Sequence, residues 1–198
     1  MIDVVFFDND CISSFLWVKA EHILISLFSG NMIIPQQAYD ELSNPYTPHL
    51  KTRADIMINN GDASVQSLLT GSPEFSLYLK LTSKPDKGQR IIGRGEASVI
   101  ALALKFGGII ASNNLSDVKS YAQEYNLEHI TTGDIMIKAH DISLITEAEG
   151  NNLWSAMQAK KRKIGSASFT EYLMLYGNKE DEPMECDNEE AHQNCCNS

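Results

Sequence analysis

Four carboxylates stand at separate points of the chain, each beside an apolar run. They are Asp8 in VVFFDND, Glu41 in IIPQQAYDEL, Glu96 in GRGEASVIALAL and Asp117 in GGIIASNNLSDVKSYA. If those runs belong to one parallel sheet, the acids converge at strand ends and make a dense negative site. Such a site is tolerable only if it binds hard cations or stays partly protonated. That chemistry points to metal-dependent work on phosphate. Each acid also has a plainer explanation. Asp8 could cap a following helix, although Asp10 is better placed, so the cap goes to Asp10 and the site to Asp8. Glu96 and Asp117 head helices, where the backbone dipole itself favours a carboxylate. Glu41, late in a short helix, could be an ordinary surface residue. The signal lies in their order, spacing and shared position at strand exits.

The elements that must position these acids follow from periodicity. Residues 2–7 form a continuous apolar run, as in a strand buried on both faces, and helical spacing predicts one helix over 12–28. A strand at 31–35 follows, with Pro35 in the first turn of a helix that reaches about Leu42 and is stopped by Asn44-Pro45 and Pro48. Further helices are expected near 49–60, 73–82, 96–106, 115–125, 132–141 and 146–161, with strands near Val65, at 109–112 and at 128–131. Gly107-Gly108 closes the 96–106 helix. Alternating strands and helices predict an α/β fold, a three-layer α/β/α sandwich with a central parallel sheet. Asp8 then falls at the carboxyl end of a strand, where such sheets open their ligand crevices.

With 198 residues, 43% of them hydrophobic, the chain can bury one core. One domain is expected over 1–177 and a disordered acidic tail over 178–198. That tail holds seven acidic residues against Lys179, a net −6 of the total −10, which leaves −4 on the body. A negative body disfavours loose nucleic-acid binding, but a local basic patch or a bound metal reverses the field. Lys160-Lys161-Arg162-Lys163 is such a patch, able to hold RNA phosphates or simply to end a solvated helix. Trp154, Met136 and Met157 read as core.

Cys11, Cys186, Cys195 and Cys196 read as free thiols in a reducing compartment; a zinc site from Cys186, His192, Cys195 and Cys196 lacks a CxxC knuckle. The five histidines show no HxxxH or HExxH spacing, and no GxxxxGK[ST] or GxGxxG fingerprint occurs. No apolar stretch approaches the ~20 residues of a membrane span, and no basic start or cleavage site marks the N-terminus. A cytoplasmic protein with no membrane association is expected.

Four segments together resemble a known family. Asp8-Asn9-Asp10 follows an apolar strand; Ile34-Pro35 leads a helix ending in Asp40-Glu41-Leu42; Gly95-Glu96-Ala97 precedes Ile100-Ala101-Leu102-Ala103. The fourth is Ser112-Asn113-Asn114-Leu115-Ser116-Asp117. Over roughly residues 1–142 this pattern is similar to the PIN-domain nucleases. Many members place Asp-Asp directly after the strand's Thr. Here the segment looks like the variant Thr-x-Asn-x-x-Asp, with Asp117 as the acid and Asn114 beside it. Thr131-Thr132-Gly133-Asp134 with Lys138-Ala139, then Leu144-Ile145-Thr146, is similar to a bacterial, toxin-type PIN-like subgroup.

The resemblance implies Mg²⁺ or Mn²⁺ held by Asp8, Glu96 and Asp117, with Glu41 on a second ion or acting through a water, and with Ser112 and Asn114 orienting metal-bound water. It implies an endoribonuclease acting on RNA, often the toxin of a toxin–antitoxin pair, with an antitoxin partner and a homodimeric state. Two other readings stay open. One is a catalytically degenerate PIN-fold binding module, motivated by Asn113-Asn114. The other is a haloacid-dehalogenase-type phosphatase, with Asp8 as nucleophile and Asp10 as general acid. That family wants Thr or Val where Ile12 stands, and an acid where Lys138 follows Gly133-Asp134.

Overall fold

The computed structural model describes residues 3–177. The acidic segment 178–198, with Cys186, His192, Cys195 and Cys196, lies outside the described residues. Five short strands build the sheet: β1 (Val5–Phe7), β2 (Met32–Pro35), β3 (Ala63–Gln66), β4 (Ile109–Ala111) and β5 (His129–Ile130). They lie side by side in the order β3-β2-β1-β4-β5, all parallel. Val5 pairs with Met32 on one side and with Ile109 on the other, so β1 is the central strand.

The pleat sorts the core into two layers. Val5, Phe7, Met32, Ile34, Ile109 and Ala111 join one cluster, which holds α1 (Asn9–Trp17), α2 (Glu21–Phe28) and α4 (Pro48–Asn59). The same cluster takes in α8 (Thr132–Asp141), α9 (Glu147–Ala159) and α10 (Phe169–Tyr176). Phe6 and Ile110 face the other way, against α5 (Pro73–Ser83), α6 (Arg94–Phe106) and α7 (Leu115–Glu124). Alternate residues of a strand point to opposite faces, so a run apolar at every position must be covered twice. This is the three-layer α/β/α sandwich that the alternating pattern predicts.

Three expectations change. The single helix over 12–28 is two helices, because Lys19 adopts a left-handed φ of 59° between α1 and α2. Pro35 sits extended at the end of β2 rather than inside the first turn of α3 (Gln36–Glu41). The C-terminal helix α10 has no counterpart in the periodicity reading. Two helical glycines mark where it docks. A Cβ on Gly133 of α8 would run into the Tyr172 ring, and one on Gly150 of α9 into the Phe169 ring. Trp154, Met136 and Met157 are fully buried in the same layer, as expected of core. Among the described residues no helix is long and apolar enough to cross a membrane.

Candidate active site at the switch point of the sheet

β1 leads to β2 on one side, while β4 lies on its other side, so the chain reverses direction across the sheet between β1 and β4. A crevice opens at the carboxyl ends of two such strands. Asp8 is the first residue beyond β1 and Ser112 the first beyond β4. Both are buried, and the Ser112 hydroxyl donates to Asp8 Oδ2 at 3.2 Å.

Asp8, not Asp10, caps α1: its Oδ1 accepts the Asn9 N–H at 2.7 Å. The cap assigned to Asp10 is therefore corrected. Asp10 sits one turn in, with Oδ1 accepting the Asn113 backbone N–H at 3.2 Å. The physical reason is φ/ψ: Asp8 has the extended backbone of an N-cap, while Asp10 is already helical. Asp10 belongs to the site as well, since its charge opposes that of Asp8.

The four predicted acids form two pairs. A Cβ on Gly95 would lie 2.6 Å from Asp8 Oδ1 and 3.1 Å from Glu41 Oε1, so these two oxygens are at most 5.7 Å apart. Glu41 closes α3 and reaches back, accepting from Asn9 Nδ2 at 3.2 Å and from the Gly95 backbone amide. Glycine at the start of α6 lets both carboxylates approach the helix N-terminus, where the dipole favours negative charge. Glu96 and Asp117 form the second pair. The Asn114 side-chain amide donates to Glu96 Oε1 and to Asp117 Oδ2, 3.0 Å each, so those oxygens are at most 6.0 Å apart. Asn114 N–H in turn donates to Ser112 Oγ at 3.2 Å, which links the second pair to Asp8. Ser112 and Asn114 thus link the acids to one another through hydrogen bonds.

Burial pushes the Asp8 carboxyl well above the ordinary carboxylate range, and the charges of Asp10 and Glu96 push further against the Asn9 N–H. Desolvation also raises Asp10, which the Asn113 N–H and the Arg162 guanidinium partly offset. Glu41 is an exposed residue, yet its carboxyl end is desolvated enough to be raised, with Asn9 opposing and Glu96 adding to the rise.

The donor set fits a hard divalent cation: every side chain offered is oxygen, and the crowded, raised acids would be relieved by positive charge. Among the described residues, however, no three acidic, histidine or cysteine side chains are gathered into a ready coordination cage. The acids are gathered two by two, and the Glu96 charge reaches both Asp8 and Glu41.

Residues beyond the predicted set complete the site. Asn113 is a staple: its side-chain oxygen accepts Thr132 N–H and its amide donates to Thr132 Oγ1, both at 2.9 Å. The basic cluster bends over the same rim, because Lys161, at φ 58°, turns the chain after α9. Arg162 Nη2 donates to the Asp10 carbonyl at 3.4 Å, and Arg162 Nε is buried with no partner among the described residues. Lys161, Arg162 and Lys163 line a cleft of about 470 Å³ with Asp10, Asn113 and Asn114. Lys160 instead stands over the Trp17 ring, 5.2 Å from its centroid. Asp10, Gly95, Asn113 and the position of the cluster were missed by sequence reasoning. For Gly95 the signal existed, in the Gly-Glu-Ala motif.

The phosphatase reading finds no third acid here. Asp134 is spent on a capping box, accepting from Thr131 N–H and Oγ1, and Lys138 is exposed on α8. His129 Nε2 is engaged elsewhere, donating to the Ser112 carbonyl at 2.8 Å.

No protein-family model matches the chain, and a search of curated proteins finds no significant relative. Among solved structures, one of FitAB bound to an IR36 DNA fragment is similar at a TM-score of 0.46 and 12% identity, over 65% of this chain and 95% of that one.

Proposed function

We propose that the chain is a metal-dependent endoribonuclease of the PIN type, with Asp8, Glu41, Glu96 and Asp117 as its acids. One observation carries the reading: the acids gather at the β1–β4 switch point, and Lys161, Arg162 and Lys163 line a cleft with Asp10, Asn113 and Asn114 beside them. Acids alone would repel a phosphodiester, and cations alone would only bind one. Side by side they suit its hydrolysis.

Asp8, Glu96 and Asp117 would hold Mg²⁺ or Mn²⁺; when bound, the ion lowers the pKa of its water and stabilises charge on the leaving oxygen. The chain's own groups do the rest. Lys161, Arg162 and Lys163 hold RNA phosphates at the cleft they line. Glu41, fixed by Asn9 and Gly95, orients the attacking water and takes its proton. Asn114 keeps Glu96 and Asp117 in register. An antitoxin protein and a second copy of the chain are the partners this reading brings, and the cytoplasm its compartment.

Purified protein incubated with labelled RNA and Mn²⁺ should cleave it, and an Asp8→Asn variant should not. Equal cleavage by both refutes the proposal. A second reading, a degenerate PIN-fold binding module, is favoured by the absence of a three-acid cage among the described residues. Under it the chain binds RNA without cutting it, and calorimetric titration finds no Mn²⁺ site that Asp117→Ala weakens.

A further inference from the structure

Lys160 to Lys163 is the one run of adjacent cations in the sequence, and a strongly anionic segment follows it one helix later. Lys161, Arg162 and Lys163 line the cleft of about 470 Å³, where Asp10 is the single acid among the lining residues. The Arg162 charge partly offsets that of Asp10. Among the described residues neither Lys161 nor Lys163 forms an ion pair, whereas Lys51, Arg53, Lys80 and Lys105 each do. We infer that the acidic segment 178–198 of the same chain docks in this cleft, with its carboxylates against Lys161, Arg162 and Lys163. The docking needs nothing from the ribonuclease reading; its consequence, that the segment and an RNA strand exclude one another, rests on that reading.

Charge, reach and limit all fit. The segment carries a net −6 and the rest of the chain −4, so the body as a whole repels it and the three cations are a local exception. The acids at the switch point, beyond the cations, keep it from going deeper. It also starts nearby. α10 leads into it, and Tyr172 of α10 lines a groove of about 850 Å³ with Lys163, which that groove shares with the cleft. Residues 178–190 hold all seven acids and span up to about 40 Å when extended, against roughly 10 Å across a groove of that volume. A tether of that length keeps the carboxylates at an effective concentration on the order of millimolar. Each pair is exposed, weak and screened by salt, so the segment is held by their number and is displaced by a longer polyanion.

The test uses the full chain in EDTA and a water-soluble carbodiimide, which joins a carboxylate to a neighbouring amine and carries off the water as a urea. At low salt, peptide mapping of the monomer should link acids between Glu180 and Glu190 to Lys161 or Lys163. Those links should exceed links to the exposed Lys84, Lys87 and Lys138 about fivefold and vanish near ~0.5 M salt. Links spread evenly over the surface lysines overturn the docking. So do links found only in a cross-linked dimer, which would put a second copy's segment in the cleft. Changing the seven acids to their amides should tighten binding of a fluorescent single-stranded RNA about tenfold at low salt. Adding Lys161→Ala and Lys163→Ala to that variant should erase the gain; a gain that survives reports overall charge alone and overturns the docking. If the links form but excess RNA leaves them in place, the docking stands and the cleft is not where RNA binds. If they do not form while the chain cleaves RNA, the docking falls and the nuclease stands.

Discussion

The two acid pairs flank the same switch point but are held by different means. Asp8 and Glu41 sit largely on main chain, through an N-cap, a strand end and the missing Cβ of Gly95, with Ser112 Oγ donating to Asp8 and Asn9 Nδ2 to Glu41. Glu96 and Asp117 are bridged by the Asn114 side-chain amide, and Ser116 Oγ donates to Asp117 Oδ1 at 3.1 Å. Main-chain positioning is rigid and survives most substitutions nearby, whereas a pair bridged by one amide depends on that amide. The inner pair is therefore the fixed half of the site and the outer pair the adjustable half.

The largest expected effect is at Asp8. Asp8→Asn should lower RNA cleavage on the order of 10³-fold or more, measured as kcat/KM. The same change should stabilise the metal-free fold. A carboxyl whose folded pKa is raised contributes its full stability below the unfolded value, near 3.8, and loses it as pH rises through the folded value. At neutral pH Asp8→Asn removes that penalty, so in EDTA its Tm should exceed the wild type's by roughly 2–4 °C. The gap should close as pH falls toward 4. A Tm lower than wild type at pH 7 would show that Asp8 is not strained by its neighbours.

Gly95→Ala should come next. Its Cβ would press on Asp8 Oδ1 at 2.6 Å, displacing the fixed pair. A misplacement of this order costs about 100-fold in rate, and the overpacking about 1–3 kcal/mol in a denaturant melt. Asn114→Ala should separate the halves: Mn²⁺ affinity by calorimetry falls about 10–100-fold while Tm barely moves. If Asn114→Ala and Gly95→Ala destabilise equally, the contrast between the pairs is wrong. The smallest effect belongs to the rim. Lys161→Ala and Lys163→Ala should each reduce the slope of log affinity against log salt by about 0.7, the value for one lost phosphate contact on a single strand.

Local signals in the sequence carried far. The all-apolar runs at β1 and β4 require cover on both faces, and that requirement alone yields the parallel sheet and its layers. The three-residue run Gly95-Glu96-Ala97 marked the start of a helix, and the close approach of Asp8 and Glu41 to Gly95 came only with the structure. Where the reading failed, the controlling contact was distant. Asp10 looked like a cap because caps are judged within a turn, while its partner Asn113 is 103 residues away. Lys160–Lys163 looked like a helix end, and three of the four cations line a cleft with Asp10, Asn113 and Asn114 because the chain turns at Lys161. Helix α10 was invisible to periodicity, although Gly133 and Gly150 already held the space for Phe169 and Tyr172.

Residue order by itself determined the five strands and most of the helices, though not α10 or the break between α1 and α2, because propensity and pleat act over a few residues. Only the tertiary structure decided that Gly95 gathers Asp8 and Glu41, that Asn114 bridges Glu96 and Asp117, and that three cations line a cleft with Asp10. Those outcomes depend on β1 and β4 becoming neighbours, and side chains reach only a few ångströms once strand order has set which ends adjoin.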